Sequence, residues 1–189
     1  MEWKVELTPQ WRAVIEEIIS REVPPGKSPV EYNPNDPGGL TAWGLSQAAH
    51  PDIDVATLTK DDAIRVYWSR YITPTNLHLL DDIKLGGRLA DFAVVCGPGA
   101  MSYAVKTTLF LLNKPVNTSV RLLTADEVRA INGLKGESRE AFIRMVNSIQ
   151  GLIFWMGFVQ ARRAMAEALA NPHRRPFLKG WIRARIWEV

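Results

Sequence analysis

The sequence predicts a mainly α-helical protein interrupted by one irregular Pro/Gly-rich stretch that has room for a small β-hairpin at most. Three observations carry this expectation. Apolar residues recur at helical spacing along most of the chain, and helix-start signals precede those stripes. Five prolines and three glycines also crowd into residues 23–40, which excludes a regular helix and disfavours a central strand there. With 189 residues, 47% of them hydrophobic and 23% charged, the chain can bury a sizeable core.

The elements follow in order. Thr8 fits an N-cap with Pro9 at the first helical position, and Trp11, Val14, Ile15, Ile18 and Ile19 form an apolar stripe behind it. Pro24 and Pro25 stop that helix near Glu22. The Pro/Gly-rich stretch comes next, and so long a loop in a compact chain is more often functional than idle. Thr59 with Asp62 three residues on reads as a capping box, opening a helix whose face is Ala63, Ile64, Tyr67, Trp68 and Tyr71. A buried helix is expected over residues 82–95, broken at Gly97-Pro98-Gly99, and another over 100–113. Thr124 to Glu127 opens a short helix that Gly133 closes. Residues 138–169 read as one long helix, with the apolar run 151–159 as the central core helix or, alternatively, a membrane-active segment. A basic, Trp-bearing helix over 176–187 ends the chain. Residues 84–88 join two helical blocks, either as a seam or as part of a helix running straight through. The domain reading is a lobe over 1–86 and a helical lobe over 87–189, packed as one compact unit.

Composition excludes several chemistries. A single cysteine, Cys96, rules out an intramolecular disulfide and a thiolate zinc cluster, and its apolar context suits a buried structural thiol. His50, His78 and His173 are too scattered for metal-ligand spacing, and Asp52, Asp54, Asp61 and Asp62 lack the pattern of a calcium loop. The N-terminus shows no signal-peptide pattern, and the longest strongly apolar run falls far short of the roughly 20 residues of a membrane span. The expectation is a protein folded in a reducing compartment. The net charge of +3 is uneven, because residues 160–189 carry seven Lys/Arg against two acids. Such a basic tail points to an anionic partner, whether nucleic acid, a membrane surface or an acidic polymer.

One constellation carries chemistry. Glu22 sits at a helix C-terminus, where the macrodipole disfavours an anion, and partial burial would raise its pKa further. Asp36, the turn Pro37-Gly38-Gly39 and the hydroxyl of Thr41 follow. A carboxylic acid on a helix end, a second carboxylate on a Gly-rich turn and a nearby hydroxyl suit glycoside hydrolysis. Asp36 and Thr41 would serve equally as turn-capping groups. Trp43 and Tyr32 fit either stacking on a sugar face or packing.

The stretch Asn33-Pro34-Asn35-Asp36-Pro37-Gly38-Gly39-Leu40-Thr41-Ala42-Trp43-Gly44-Leu45-Ser46 resembles the signature of glycoside hydrolase family 108, phage and prophage muramidases of lysozyme-like helical fold. The family pattern runs Glu-Gly-Gly-Tyr, then Asn-Asp-Pro-x-Asp-Pro-Gly-Gly-x-Thr-x-Tyr-Gly-Ile-Ser. The run His50-Pro51-Asp52-Ile53-Asp54 and the helix with Tyr67, Trp68 and Tyr71 extend the likeness. So does the second half, with Ala90 to Val94, Gly97 to Ala100 and Phe177 to Trp181, which resembles the peptidoglycan-binding region attached to these enzymes. Glu22 occupies the position of the family's catalytic glutamate. Here the two glycines after it are absent, about five residues are inserted before Tyr32, Asn33 replaces an aspartate and Val95 replaces a usual Asn. The insertion brings a rival, Glu31; the fixed helical mount favours Glu22.

The resemblance implies an endolysin that cleaves the MurNAc-β-1,4-GlcNAc bond of peptidoglycan. By analogy with phage-type lysozymes, Glu22 is the general acid, Asp36 the base or electrostatic stabiliser, and Thr41 the residue that orients water. Tyr32 and Trp43 would contact the glycan strand. No metal or organic cofactor is implied, nor a specific nucleic acid, and a monomer is expected. The basic tail with Trp181 and Trp187 would touch an anionic wall or membrane surface. Such an enzyme would wait in the host cytoplasm until a membrane lesion releases it to the wall, or would be delivered by dedicated secretion machinery. The alternatives are a non-catalytic peptidoglycan-binding or virion structural protein of the same fold and a basic helical nucleic-acid binder.

Overall fold

The computed structural model describes residues 5–32 and 38–170, and the chain divides into two compact units, Met1–Thr73 and Pro74–Val189. As expected, the fold is mainly α, with one small antiparallel sheet among the described residues.

The first unit opens with α1 (Pro9–Glu22). The Thr8 side chain accepts a hydrogen bond from the Trp11 backbone N–H at 3.3 Å, and Trp11, Ile15, Ile18 and Ile19 are buried. Burying such side chains is worth about 1.5–3 kcal/mol each, against tenths for helix propensity. Packing against the next helix therefore holds α1. It ends at Glu22, where the Val23 N–H closes onto the Ile19 carbonyl and the two prolines follow.

Strands β1 (Val30–Tyr32), β2 (Leu40–Ala42) and β3 (Leu45–Ser46) form an antiparallel sheet in that order, pairing Glu31 with Thr41 and Thr41 with Ser46. A two-residue turn, Trp43-Gly44, joins β2 to β3 with φ of 54° and 80°. Positive φ at both central positions is what a type I′ hairpin turn requires. A 3-10 turn (Val55–Thr57) leads into α2 (Lys60–Tyr67), which starts with the expected capping box of Thr59 and Asp62. The chain then widens into one π-helical turn, Trp68–Ile72. Trp68 packs on Trp11 with ring centroids 6.1 Å apart, and its indole N–H donates to the Val5 carbonyl.

The second unit contains α3 (Ile83–Cys96), α4 (Pro98–Leu111), α5 (Ala125–Asn132), α6 (Gly136–Met156) and α7 (Phe158–Ala170). Residues 84–88 lie inside α3, which Asp82 caps, so the continuous-helix alternative applies there. Gly97, at φ 87°, separates α3 from α4. Ten of the 14 residues of α4 are buried, which makes it the central helix of the unit. Below it, Glu127 accepts hydrogen bonds from Lys106 Nζ at 2.9 Å, from the Asn117 N–H at 2.8 Å and from the Thr124 N–H at 2.8 Å.

Two expectations are corrected here. The single helix expected over 138–169 is two, because Gly157 takes φ 76° and ends α6. The apolar run 151–159 is not the core helix. Burial on α6 stops at Ile153, while Phe154, Trp155 and Val159 are 74%, 88% and 73% exposed. The expected basic helix over 176–187 lies outside the described residues.

Candidate active site

Glu22, Glu31 and Thr41 meet in one cleft of about 430 Å³ in the first unit, together with Lys27, Ser46 and the backbone of Gly38, Gly39 and Gly44. Its size is within the range of ligand pockets, and its lining is predominantly polar. A larger hollow of about 810 Å³ in the second unit is lined by Tyr103, Phe110, Arg121 and Arg162 among others, with no carboxylate among the described residues that line it. Chemistry rather than size therefore selects the smaller cleft.

Each wall has a local cause. Glu22 is the last residue of α1, held by the packed stripe behind it. Glu31, Thr41 and Ser46 stand directly opposite one another across the three strands, and opposed residues in an antiparallel ladder share a face. The neighbouring row faces the other way, and its members Ala42 and Leu45 are buried. One sheet face thus supplies core and the other supplies the cleft.

Gly44 links the sheet to Glu22. A Cβ at Gly44 would lie 2.6 Å from the Tyr67 hydroxyl, 2.7 Å from Glu22 Cγ and 2.8 Å from Glu22 Cβ. Only glycine permits this approach, and only glycine adopts φ of 80° without strain. The turn beneath is over-determined. The Trp43 N–H donates to the Pro29 carbonyl at 2.8 Å, its indole N–H to the Leu58 carbonyl at 2.8 Å, and its own carbonyl accepts from the Tyr67 hydroxyl at 2.9 Å. These bonds keep a bulky residue in the left-handed region, at φ 54°, where it would otherwise be strained. Burial, then the nearby Glu22 carboxylate, then Tyr71 push the Tyr67 phenol far above its usual range, so it remains a donor.

A second network lies behind the turn. Arg70 donates to both carboxylate oxygens of Asp52, at 2.9 and 2.7 Å, and approaches His50 Nδ1 at 3.3 Å. A guanidinium can only donate, so Nδ1 accepts, and Nε2 carries the proton to the Tyr71 hydroxyl 3.1 Å away. Burial, then the Arg70 charge, depress the His50 pKa, while Asp52 opposes them. The hydrogen bond from Arg70 is the main cause that holds Asp52 at about 2. Among the described residues no group of His, Cys, Asp and Glu is arranged to hold a metal ion.

The sequence-predicted residues are placed as follows. Glu22 and Thr41 share the cleft, and Glu31 joins them. Glu22 is exposed rather than partly buried, with its methylene carbons against Gly44. Asp36 lies outside the described residues. Tyr32 is on the strand face away from Glu31, 70% exposed, and does not line the cleft. Trp43 does not line it either; its indole is committed to Leu58 in the supporting turn. Lys27 is not singled out by the sequence, and Gly44, Ser46 and Tyr67 enter there only through the motif or an apolar helix face, without a place in the cleft. The Trp-Gly turn between two short apolar-polar runs is the signal that places Gly44 and Ser46; Tyr67 reaches the turn from α2, which no local pattern reports.

Residues 16–97, which include this cleft, match the family described as Glycosyl hydrolase 108. The fold is similar to that in "Structure of Brucella abortus SagA", with a TM-score of 0.58 and 18% identity, covering 94% of this chain and 93% of that one. No curated protein matches the chain.

Proposed function

We propose that the protein is a peptidoglycan-degrading glycoside hydrolase of the lysozyme type, cutting the MurNAc-β-1,4-GlcNAc bond with Glu22 as general acid. The observation that carries this reading is the mounting of Glu22. It stands at a rigid helix end, backed by Gly44 and Tyr67, on the same cleft as the Thr41 hydroxyl, in a region similar to glycosyl hydrolase 108.

In the proposed reaction, Glu22 in its acid form protonates the glycosidic oxygen as the bond to the anomeric carbon breaks. Positive charge then develops at that carbon. Asp36 steadies this charge or takes a proton from the attacking water, and the Thr41 hydroxyl orients that water. Glu31, directly opposite Thr41, is the rival acid. The polar row of Glu31, Thr41 and Ser46 would supply hydrogen-bonding groups for sugar hydroxyls. A separation of about 5 Å between the working carboxylates would give retention, and roughly 6.5–9.5 Å inversion.

The biological setting that fits is a phage or prophage endolysin acting on the wall as a monomer after a separate membrane lesion. Incubation with purified peptidoglycan tests the chemistry. The expected products are new reducing ends carrying N-acetylmuramic acid, recovered as its alditol after borohydride reduction. Release of free amines would identify a peptide-cleaving enzyme instead. Tight binding without any new ends would leave the non-catalytic wall-binding alternative.

A further inference from the structure

Among the described residues, large exposed apolar side chains gather at the junction of α6 and α7. Phe154, Trp155, Met156 and Val159 flank Gly157 and are 74%, 88%, 42% and 73% exposed. Trp and Phe normally bury most of their surface, so an adjacent pair left in water calls for an occupant. The cause is local. Ile149 and Ile153 turn inward as the last buried contacts of α6, and the two residues after Ile153 fall on the outer side of the helix. Gly157, at φ 76°, ends α6 just past the exposed pair.

Charge identifies what this surface meets. Arg162 and Arg163, both exposed, follow Val159 on α7, and Glu167 is the only acid of that helix. Residues 171–189 add five Lys/Arg, one acid, Trp181 and Trp187 by sequence. Apolar aromatic side chains followed by arginines suit the boundary between lipid headgroups and acyl chains. There the rings bury their surface and the guanidinium groups stay with the anionic headgroups. A second copy of the chain suits this surface poorly. A stable protein interface takes roughly 20–30 residues a side. This surface offers four apolar ones, and pairing two copies would bring two basic segments together. No helix among the described residues is long and apolar enough to cross a membrane, so the contact is peripheral.

We propose that the α6–α7 junction is a membrane-docking tip that inserts Phe154, Trp155, Met156 and Val159 into the interface of an anionic lipid bilayer. The inference is independent of the glycosidase reading, since none of these residues lines the cleft. Docking would hold a wall-acting protein at the membrane face nearest its polymer.

Flotation of the full chain with vesicles tests it, using phosphatidylcholine alone and equal parts phosphatidylcholine and phosphatidylglycerol. The wild type should float with the mixed vesicles and be released as salt is raised. The double variant Phe154→Ser/Trp155→Ser should partition at least about tenfold more weakly, at unchanged melting temperature because both residues are already exposed. Val159→Ser should weaken binding in the same direction. Equal flotation of the double variant and wild type would overturn the proposal by placing the contact elsewhere. Equal binding to uncharged vesicles, or none to either, would also overturn it. So would a sedimentation result in which the wild type self-associates and the double variant does not.

Discussion

Replacing Gly44 by alanine would probe the contact that fixes Glu22. The added Cβ meets the Tyr67 hydroxyl at 2.6 Å and two Glu22 carbons at 2.7 and 2.8 Å, all closer than real Cβ contacts come. Tyr67 cannot retreat, being buried and bonded to the Trp43 carbonyl. Glu22 is exposed and swings away more readily. Holding alanine at φ 80° costs about 1–2 kcal/mol. A weakened Tyr67 hydrogen bond adds about 1 kcal/mol. The loss of stability is thus roughly 2–3 kcal/mol, read from urea unfolding. The effect on peptidoglycan clearing is larger in kind, since a misplacement of about 1 Å costs around 100-fold in rate. Gly26→Ala is the control. It shares the positive φ, at 86°, but its Cβ would meet nothing within 4 Å. It should lose about 1–2 kcal/mol from the positive φ alone and keep its activity. If Gly44→Ala clears peptidoglycan as fast as Gly26→Ala, the packing of Gly44 under Glu22 has no catalytic meaning and the reasoning fails.

Other predictions concern the supporting structure. Because His50 is held below its ordinary value, the unfolded chain takes up a proton that the folded one refuses, so stability should decline as pH drops below about 6.5. His50→Gln should flatten that part of a urea-midpoint profile, and an unchanged profile would contradict the assignment. Asp52, held at about 2 chiefly by the hydrogen bond from Arg70, stabilises the fold above its unfolded value near 3.8 and loses that contribution as pH falls toward 2. Arg70→Gln should remove this second acid-sensitive step. In the second unit, Glu127 is nearly inaccessible; burial acts to raise its pKa, and bonds from Thr124, Lys106 and Asn117 outweigh it and hold the carboxyl below its usual range. Glu127→Gln sets an amide N–H against one of these donors and strips the counter-charge from Lys106. It should cost about 3–5 kcal/mol, measured by urea unfolding, and a neutral result would show that the pair is solvated.

Local signals in the sequence located most helices because caps and stripes act over a few residues. Thr8, Thr59 and Thr124 all cap as expected, and Pro24 and Pro25 end α1 at Glu22. The break at Gly157 was hidden because glycine within a helical pattern is compatible with continuation, as at Gly151, or with a left-handed stop. The exposure of Phe154, Trp155 and Val159 is not legible in the sequence, because apolar composition cannot report whether a neighbouring element is present to cover it. At the site, Glu22 and Thr41 were legible from the chemistry of a helix end and a turn hydroxyl. The facing of Glu31 was not, because it depends on strand register, and a shift of one residue would turn it to the core side. Trp43 reads as a sugar platform or a packing residue from sequence; three hydrogen bonds to separate segments make it a turn support.

The central claim rests on which carboxylate in the cleft gives the proton. The most direct measurement is the release of reducing ends from purified peptidoglycan by wild type, Glu22→Gln and Glu31→Gln, with folding of each checked by circular dichroism. Glu22→Gln should be folded, bind the polymer and release no ends above background, while Glu31→Gln retains measurable activity. Normal release by Glu22→Gln, or activity abolished only in Glu31→Gln, would contradict the account and move the acid to β1.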